Sequence, residues 1–408
     1  MLFVSRPNLK LPMIYMALFT LIFIIPPLLF FNDGYLGQGA LFSAIYLDAS
    51  QILEMTTLIF LSVSFMFATL IFYKPRFLLS SQNIFYKFKN YQIFILFLFV
   101  TWAISIGFNL IEFFTMISEG YVSIVSGRAS VVKTPFFVLN EYFFLALACA
   151  GICLRNTSSI WLLLIYFFTI MMIGQRLPAF MAMVVILLFY TRFKNIDFRI
   201  IQLTTFGVIA PFLMLVAAIR VYGIEALSFF DFGGSYLDLF RVTGFSMDTL
   251  KAAVSYEGQF PVTIDPFDKI NQIIRVFQTR VIDFGLETPS TGFGANFSSQ
   301  LSVDLFSSGT TFASSGIAEA HYYGGLFLVI IFSILLIIVL LESELICNKR
   351  SYFAIIFAVI CVPKIIGVVR NELFGWFWES LLFILIMSPF ILIVNRLFLI
   401  KLYSIEER

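Results

Sequence analysis

The chain is poor in charge. Of 408 residues, 12% are charged, where a soluble domain carries about a quarter. Lys and Arg total 26 against 24 Asp and Glu, a net charge of +2. That balance excludes a basic nucleic-acid surface as the main function. One histidine and four cysteines leave no ligand set for a metal centre, and no metal or other cofactor is expected. Cys149 and Cys153 lie i,i+4 inside one apolar run, Cys361 lies in another and Cys347 falls in a short loop. None falls between 220 and 316, so that stretch carries no disulfide, and the four read as small hydrophobes.

What the chain has in excess is apolar surface. Hydrophobic residues make up 60%, phenylalanine alone contributes 53, and the mean hydropathy is +0.97. Apolar runs of about twenty residues recur, the length that crosses a hydrocarbon core as a helix. They are continuous rather than alternating, which excludes a transmembrane barrel. The fold class is therefore an all-α integral membrane protein with about ten transmembrane helices. The expected spans lie at about 11–31, 51–73, 91–111, 136–153, 159–173, 179–191, 199–219, 317–341, 351–369 and 376–400. Pro26 and Pro27 predict a kink near the outer end of the first. The short runs at 159–173 and 179–191 read equally as a re-entrant or broken pair.

Lys and Arg in short loops orient the bundle. With both termini cytoplasmic, the inner segments hold Arg6, Lys10, Lys74, Arg76, Lys87, Lys89, Arg155, Arg192, Lys194, Arg199, Lys349, Arg350, Arg396, Lys401 and Arg408, while Asn32–Ser50 has no Lys or Arg. Three parts follow: a bundle of about seven spans at 1–219, a large extracytoplasmic loop at 220–316 and about three spans at 317–408.

The loop and its rim carry the candidate chemistry. Its ten acidic residues from Glu225 to Asp304 outnumber its basic ones by about four, so any positive field is local. Arg176, in the turn Gly174-Gln-Arg-Leu-Pro178, Arg220 at a span end and Arg370 in Val369-Arg-Asn-Glu372 all fall on the outer rim. An arginine there is costly near lipid unless it faces a cavity or an anion. Guanidinium forks suit a pyrophosphate, whose oxygens they bind in pairs. Each alone has a plain alternative, snorkelling to headgroups or pairing with a carboxylate. The stretch 267–284 has helical apolar spacing at Ile270, Ile273, Ile274, Phe277, Val281 and Phe284, with Arg275 on its polar face and Arg280 at the edge of its apolar stripe. Ser246–Val254 predicts a second short helix with Ser246 as N-cap.

The acid–base candidates are Glu319 and His321, where the chain re-enters the membrane. On a helix, residues two apart face nearly opposite ways, so the pair is not expected to share one cavity. A partly desolvated carboxylate suits a general base; a salt bridge is the plain alternative for Glu319, and interfacial packing for His321. Glu54, Glu141, Glu379 and Lys364 lie in or near spans as candidate partners of buried charge.

Three patches carry a resemblance. They are Gly174-Gln-Arg-Leu-Pro178, the loop with Gly244-Phe-Ser-Met-Asp-Thr-Leu250, and Ser298–Ser302 followed by Ser308–Gly325. With the topology, they resemble the Wzy-type polymerases of O-antigen or capsule oligosaccharide repeat units. The resemblance implies a GT-C-like bundle in the bacterial inner membrane with its active site at the outer leaflet. It implies a growing glycan moved from undecaprenyl pyrophosphate to a new lipid-linked repeat unit, without metal or nucleotide sugar. Arg176, Arg220, Arg280 and Arg370, with Arg275, would bind pyrophosphate; Glu319 would act as base and His321 would compete for that role. A flippase and a chain-length regulator are the implied protein partners. An O-antigen ligase and a lipid-linked-sugar flippase are the alternatives; the single large loop and the lack of repeated halves weigh against the latter.

Overall fold

The computed structural model describes residues 10–30, 45–74, 84–119, 135–172, 245–256, 315–347, 351–369 and 375–403, with Leu36, Met181, Ala182 and Val185 besides. Elements are numbered within these residues. The chain is a helical bundle. Its helices are α1 (Lys10–Phe19), α2 (Ile25–Leu29), α3 (Ala49–Phe72), α4 (Tyr91–Glu119), α5 (Pro135–Cys153), α6 (Thr157–Met172), α7 (Phe245–Ser255), α8 (Gly316–Cys347), α9 (Tyr352–Gly367) and α10 (Gly375–Phe398). Among the described residues, five stretches are long and apolar enough to cross a membrane: Lys10–Leu29, Ala49–Phe72, Tyr91–Thr115, Phe136–Cys153 and Gly316–Cys347. Shorter apolar helices run over Thr157–Met172, Tyr352–Gly367 and Phe383–Phe398. The expected spans at 179–191 and 199–219, and the amphipathic stretch at 267–284, lie outside the described residues.

Apolar residues cover these helices on all sides. On α3, Leu53, Phe60, Phe67 and Ile71 are exposed while Met55, Leu58, Met66 and Leu70 are buried. A helix apolar all round has its outer face in lipid. α5 is the central helix, buried along most of its length and packed against α4, α6, α9 and α10. Lipid tails provide no hydrophobic drive between helices, so polar contacts add to packing. Asn140 donates to the Thr101 carbonyl at 2.9 Å and to Ser105 Oγ at 3.0 Å. Asn109 donates to Thr169 Oγ1 at 3.0 Å, Trp102 Nε1 to the Leu162 carbonyl at 3.1 Å, and Tyr166 to Glu141. These bonds fasten α4, α5 and α6 into one unit.

The proline pair acts upstream of its own position. Proline lacks an N–H and its ring clashes with the carbonyl four residues back. Before Pro26 the helix widens into a π-turn over Thr20–Ile24, where the Ile25 N–H reaches Thr20 O. α2 then continues with the prolines in its first turn.

Long-range contacts mark the two ends of the bundle. At one end Glu344 accepts the backbone N–H groups of Lys10 and Leu11, and Tyr73 donates to Glu342 at 2.7 Å. At the same end β1 (Ile84–Phe88) pairs antiparallel with β2 (Leu399–Tyr403), Tyr86 opposite Lys401. This two-stranded sheet corrects the all-α expectation in that detail. Phe88 packs on Phe94 and holds the sheet to α4. Cys347 also differs from expectation: it is the last residue of α8 rather than a loop residue, and it is buried. At the opposite end the Gly316 N–H donates to Val368 O at 3.1 Å, joining the start of α8 to the end of α9.

Candidate active site

α8 is broken one-quarter of the way along. Gly324 has φ −153° and ψ 20°, and Gly325 has φ 56° and ψ −153°, neither helical. The Gly325 conformation is open to glycine alone. The eight residues before the break, Gly316–Tyr323, form a separate helical turn-pair set at an angle to the span that follows. A side chain on Gly316 would meet Val368 Cγ1 at 2.7 Å and Phe332 Cζ at 2.8 Å. Glycine there lets this segment lie directly against α9 and its own span.

Both acid–base candidates are on this segment and both are buried: Glu319 is 0% exposed and His321 2%. His321 Nε2 lies 3.5 Å from Glu54 Oε1 on α3. The Glu54 side chain is 43% exposed, so this carboxylate joins a buried imidazole to the surface of the bundle. Glu54 follows the N-cap of α3, where Asp48 and Gln51 form a capping box. The Ser50 hydroxyl and then the Gln51 amide hold the Asp48 carboxyl below its ordinary range. Tyr322 and Tyr323, half-buried, stack edge to face at 5.9 Å beside the break.

α7 closes the site from another side. The expected short helix is present, but it starts at Phe245, so Ser246 sits within its first turn rather than capping it. Every residue of α7 from Met247 to Val254 is buried, and the helix packs against α8, α3 and the π-turn. Its last residue, Ser255, donates to Tyr46 O at 3.3 Å. Asp248 and Lys251, both buried, pair at 3.5 Å one turn apart. Burial pushes the Lys251 ammonium down from its ordinary range, and Asp248 opposes that shift.

On the α9 side, Lys364 is buried one turn before Val368, with its ammonium 5.3 Å from the centre of the Phe383 ring. That cation–π contact places a charge in an aromatic wall also formed by Tyr142. Of the candidate partners of buried charge, Glu54 meets the histidine, Glu141 meets Tyr166 and Lys364 meets an aromatic face. The side chain of Glu379 lies outside the described residues.

Arg176, Arg220, Arg275, Arg280 and Arg370 all lie outside the described residues. Arg370 follows Val369 directly, two positions after the residue that receives the Gly316 N–H. Reasoning from sequence missed three features: the Asp248–Lys251 pair, the Gly324–Gly325 break and the Glu54–His321 contact. The first two carry local signals, an i,i+3 opposite-charge pair and a glycine doublet. The third carries none, because its partners come from opposite ends of the chain.

The family model for O-antigen polysaccharide polymerase Wzy matches residues 2–402. The chain belongs to this family. Comparison with curated proteins and with solved structures returns no match. As a Wzy-family protein it is a multi-pass membrane protein of O-antigen polysaccharide biosynthesis. Its substrates are lipid-linked oligosaccharides and its setting is a lipid bilayer. The resemblance read from 174–178, 244–250 and 298–325 named the same family.

Proposed function

We propose that this Wzy-family chain is a metal-independent glycosyltransferase at the outer leaflet of the bacterial inner membrane. It transfers the growing glycan from undecaprenyl pyrophosphate to the terminal sugar of a newly flipped, undecaprenyl-pyrophosphate-linked repeat unit. The bond from the donor's anomeric carbon to the pyrophosphate oxygen breaks, and a bond from that carbon to the acceptor hydroxyl oxygen forms. The hydroxyl proton passes to a base on Gly316–Tyr323, and undecaprenyl pyrophosphate leaves. Glu319 is the first candidate for that base and His321 its competitor.

Arg176, Arg220, Arg280 and Arg370, with Arg275, are assigned to the pyrophosphate. Negative charge develops on the leaving group, and fixed cations shielded from water lower that barrier. The observation that carries the reading is the segment Gly316–Tyr323, buried from Gly316 to His321. It sets two proton-accepting side chains at the mouth of the bundle, against the end of the helix that leads into Arg370. In this topology both termini are cytoplasmic, 220–316 forms the extracytoplasmic loop, and the segment between α6 and α8 leaves and returns at one end. That accommodates the two further spans of a ten-span bundle. A flippase would deliver the substrate and a chain-length regulator would set the extent of polymerisation.

Purified protein in nanodiscs, given lipid-linked repeat units alone, tests the reading. A ladder of multiples is expected, and alanine at Arg176, Arg280, Arg370 and Glu319 should shorten or abolish it. Ladders of wild-type length in all four variants would refute the site. A ligase would instead consume the donor only when a lipid A-core acceptor is supplied.

A further inference from the structure

The Glu54–His321 contact favours His321 over Glu319 as the base, and this inference rests on the transfer reaction proposed above. We infer that Glu54 is a positioning residue that holds the His321 imidazole with its proton on Nε2, so that Nδ1 carries the lone pair that receives the acceptor hydroxyl proton.

A neutral imidazole bears one N–H and one lone pair, and the group facing one nitrogen sets which is which. Here the group facing Nε2 is a carboxylate oxygen at 3.5 Å. A carboxylate accepts and does not donate when ionised, so it selects the proton on Nε2. When Nδ1 takes a second proton, the imidazolium that results is stabilised by the same carboxylate, the role such a partner plays in acid–base dyads. The 3.5 Å separation is long for a hydrogen bond, as is common before substrate closes a site.

The surroundings fit the role. The imidazole is buried, so its orientation is held by packing. The carboxylate is half-exposed, at the N-terminal part of α3. The two residues sit on different helices, α3 and α8, and His321 lies on the segment that the Gly324–Gly325 break frees from the axis of its span. The other ionisable groups on elements packed against α8 at this end are Asp248 and Lys251 of α7 and Lys364 of α9. Asp48 caps α3, and Glu319 lies on α8 itself. Glu54 lies in ion-pair range of the imidazole.

The test uses the fact that the chain has one histidine. Full-length protein labelled with ¹⁵N-histidine, held in nanodiscs, gives ring nitrogen signals from His321 alone. The wild type should show a protonated Nε2 and an unprotonated Nδ1 above its titration midpoint. E54A should lose the tautomer preference, and E54Q should lower the midpoint because its amide no longer stabilises imidazolium. E319Q should leave the signature unchanged. In the polymerisation assay E54A and H321A should lower kcat by about ten-fold or more, in line with the ~100-fold or larger contribution of a general base, with E54D restoring part of the loss and KM little changed. An unchanged tautomer and midpoint in E54A would overturn the pairing. Wild-type kcat in H321A would overturn the assignment of the proton to Nδ1. If the wild type makes no ladder, the polymerase reading fails, and the nitrogen signals still decide the pair.

Discussion

The carboxylate of Glu344 holds the backbone of Leu11: its Oε2 accepts the Leu11 N–H at 3.0 Å, and its Oε1 accepts the Lys10 N–H at 3.1 Å. A side chain at the end of α8 thus caps the first helix of the chain across more than three hundred residues of sequence. The first N–H groups of a helix have no partner within it, and a negative group there also meets the positive end of the helix dipole.

Glu344→Ala should therefore destabilise the protein by about 1.5–3 kcal/mol, the range for hydrogen bonds to a charged group. Glu344→Gln keeps one acceptor oxygen and should lose less. Unfolding in mixed detergent micelles, followed by far-UV circular dichroism, measures both. Equal stability of E344A and wild type would show that the α1 N-terminus finds other partners.

Gly325→Ala should cost about 1–3 kcal/mol, because its φ of 56° with ψ of −153° is a strained region for any L side chain. The alternative for the variant is to straighten the helix, which would swing His321 away from Glu54 on α3. Glycan ladders should shorten sharply while membrane insertion stays normal. Full-length ladders from G325A at matched protein levels would show that the break has no part in activity.

Removing one member of the Asp248–Lys251 pair leaves a buried charge alone. D248A should destabilise by about 3–5 kcal/mol, whereas the double variant D248L/K251M should recover most of that loss. A double-mutant cycle of unfolding free energies reads the difference. Near-additive losses would place the pair in a wet environment.

The same pair has a pH signature. Burial lowers the Lys251 ammonium below its ordinary 10.5 in the folded chain. The unfolded chain then binds that proton more tightly, so stability rises with pH from the lowered value up to 10.5. K251M should flatten that part of the stability profile. An unaltered slope in K251M would assign the rise to other groups.

Arg155 adopts φ 61° in the turn between α5 and α6, where its N–H meets Ile152 O at 3.1 Å. A left-handed conformation costs a non-glycine residue about 1–2 kcal/mol. R155G removes that cost but frees the unfolded chain, so a net gain of up to about 1 kcal/mol in unfolding free energy is expected. A clear loss would mean that the exposed arginine makes a contact worth more than the strain.

Much of the architecture was legible because hydropathy is written locally. A run such as Ala49–Phe72 carries apolar residues around its whole circumference over 24 residues, the length and pattern of a membrane span. Eight of the ten expected segments are helical; six match their expected ends within two residues, while the helices from Tyr91 and Gly316 run on eight and six residues past the expected 111 and 341, and the short helix after Gly244 is present. The sheet between 84–88 and 399–403 was not legible, since each strand is five residues long and acquires its meaning only from its distant partner. The π-turn was half legible: the prolines announced a disturbance, but its placement one turn earlier follows from which carbonyls their rings displace. At the site, Glu319 and His321 were found by residue type and position. Their neighbours were not, because Glu54 reads in the sequence as one more charge near a span end.

Composition and periodicity alone determined that this chain lives in a bilayer and crosses it many times as helices. Lipid cannot hydrogen-bond a backbone, so that outcome needs no knowledge of which helix meets which. Partner choice was decided by the tertiary structure: Glu344 on Leu11, Glu54 on His321, α7 buried between α3 and α8. Those contacts depend on packing between segments hundreds of residues apart, and on a glycine-specific bend that tilts eight residues out of the line of their helix.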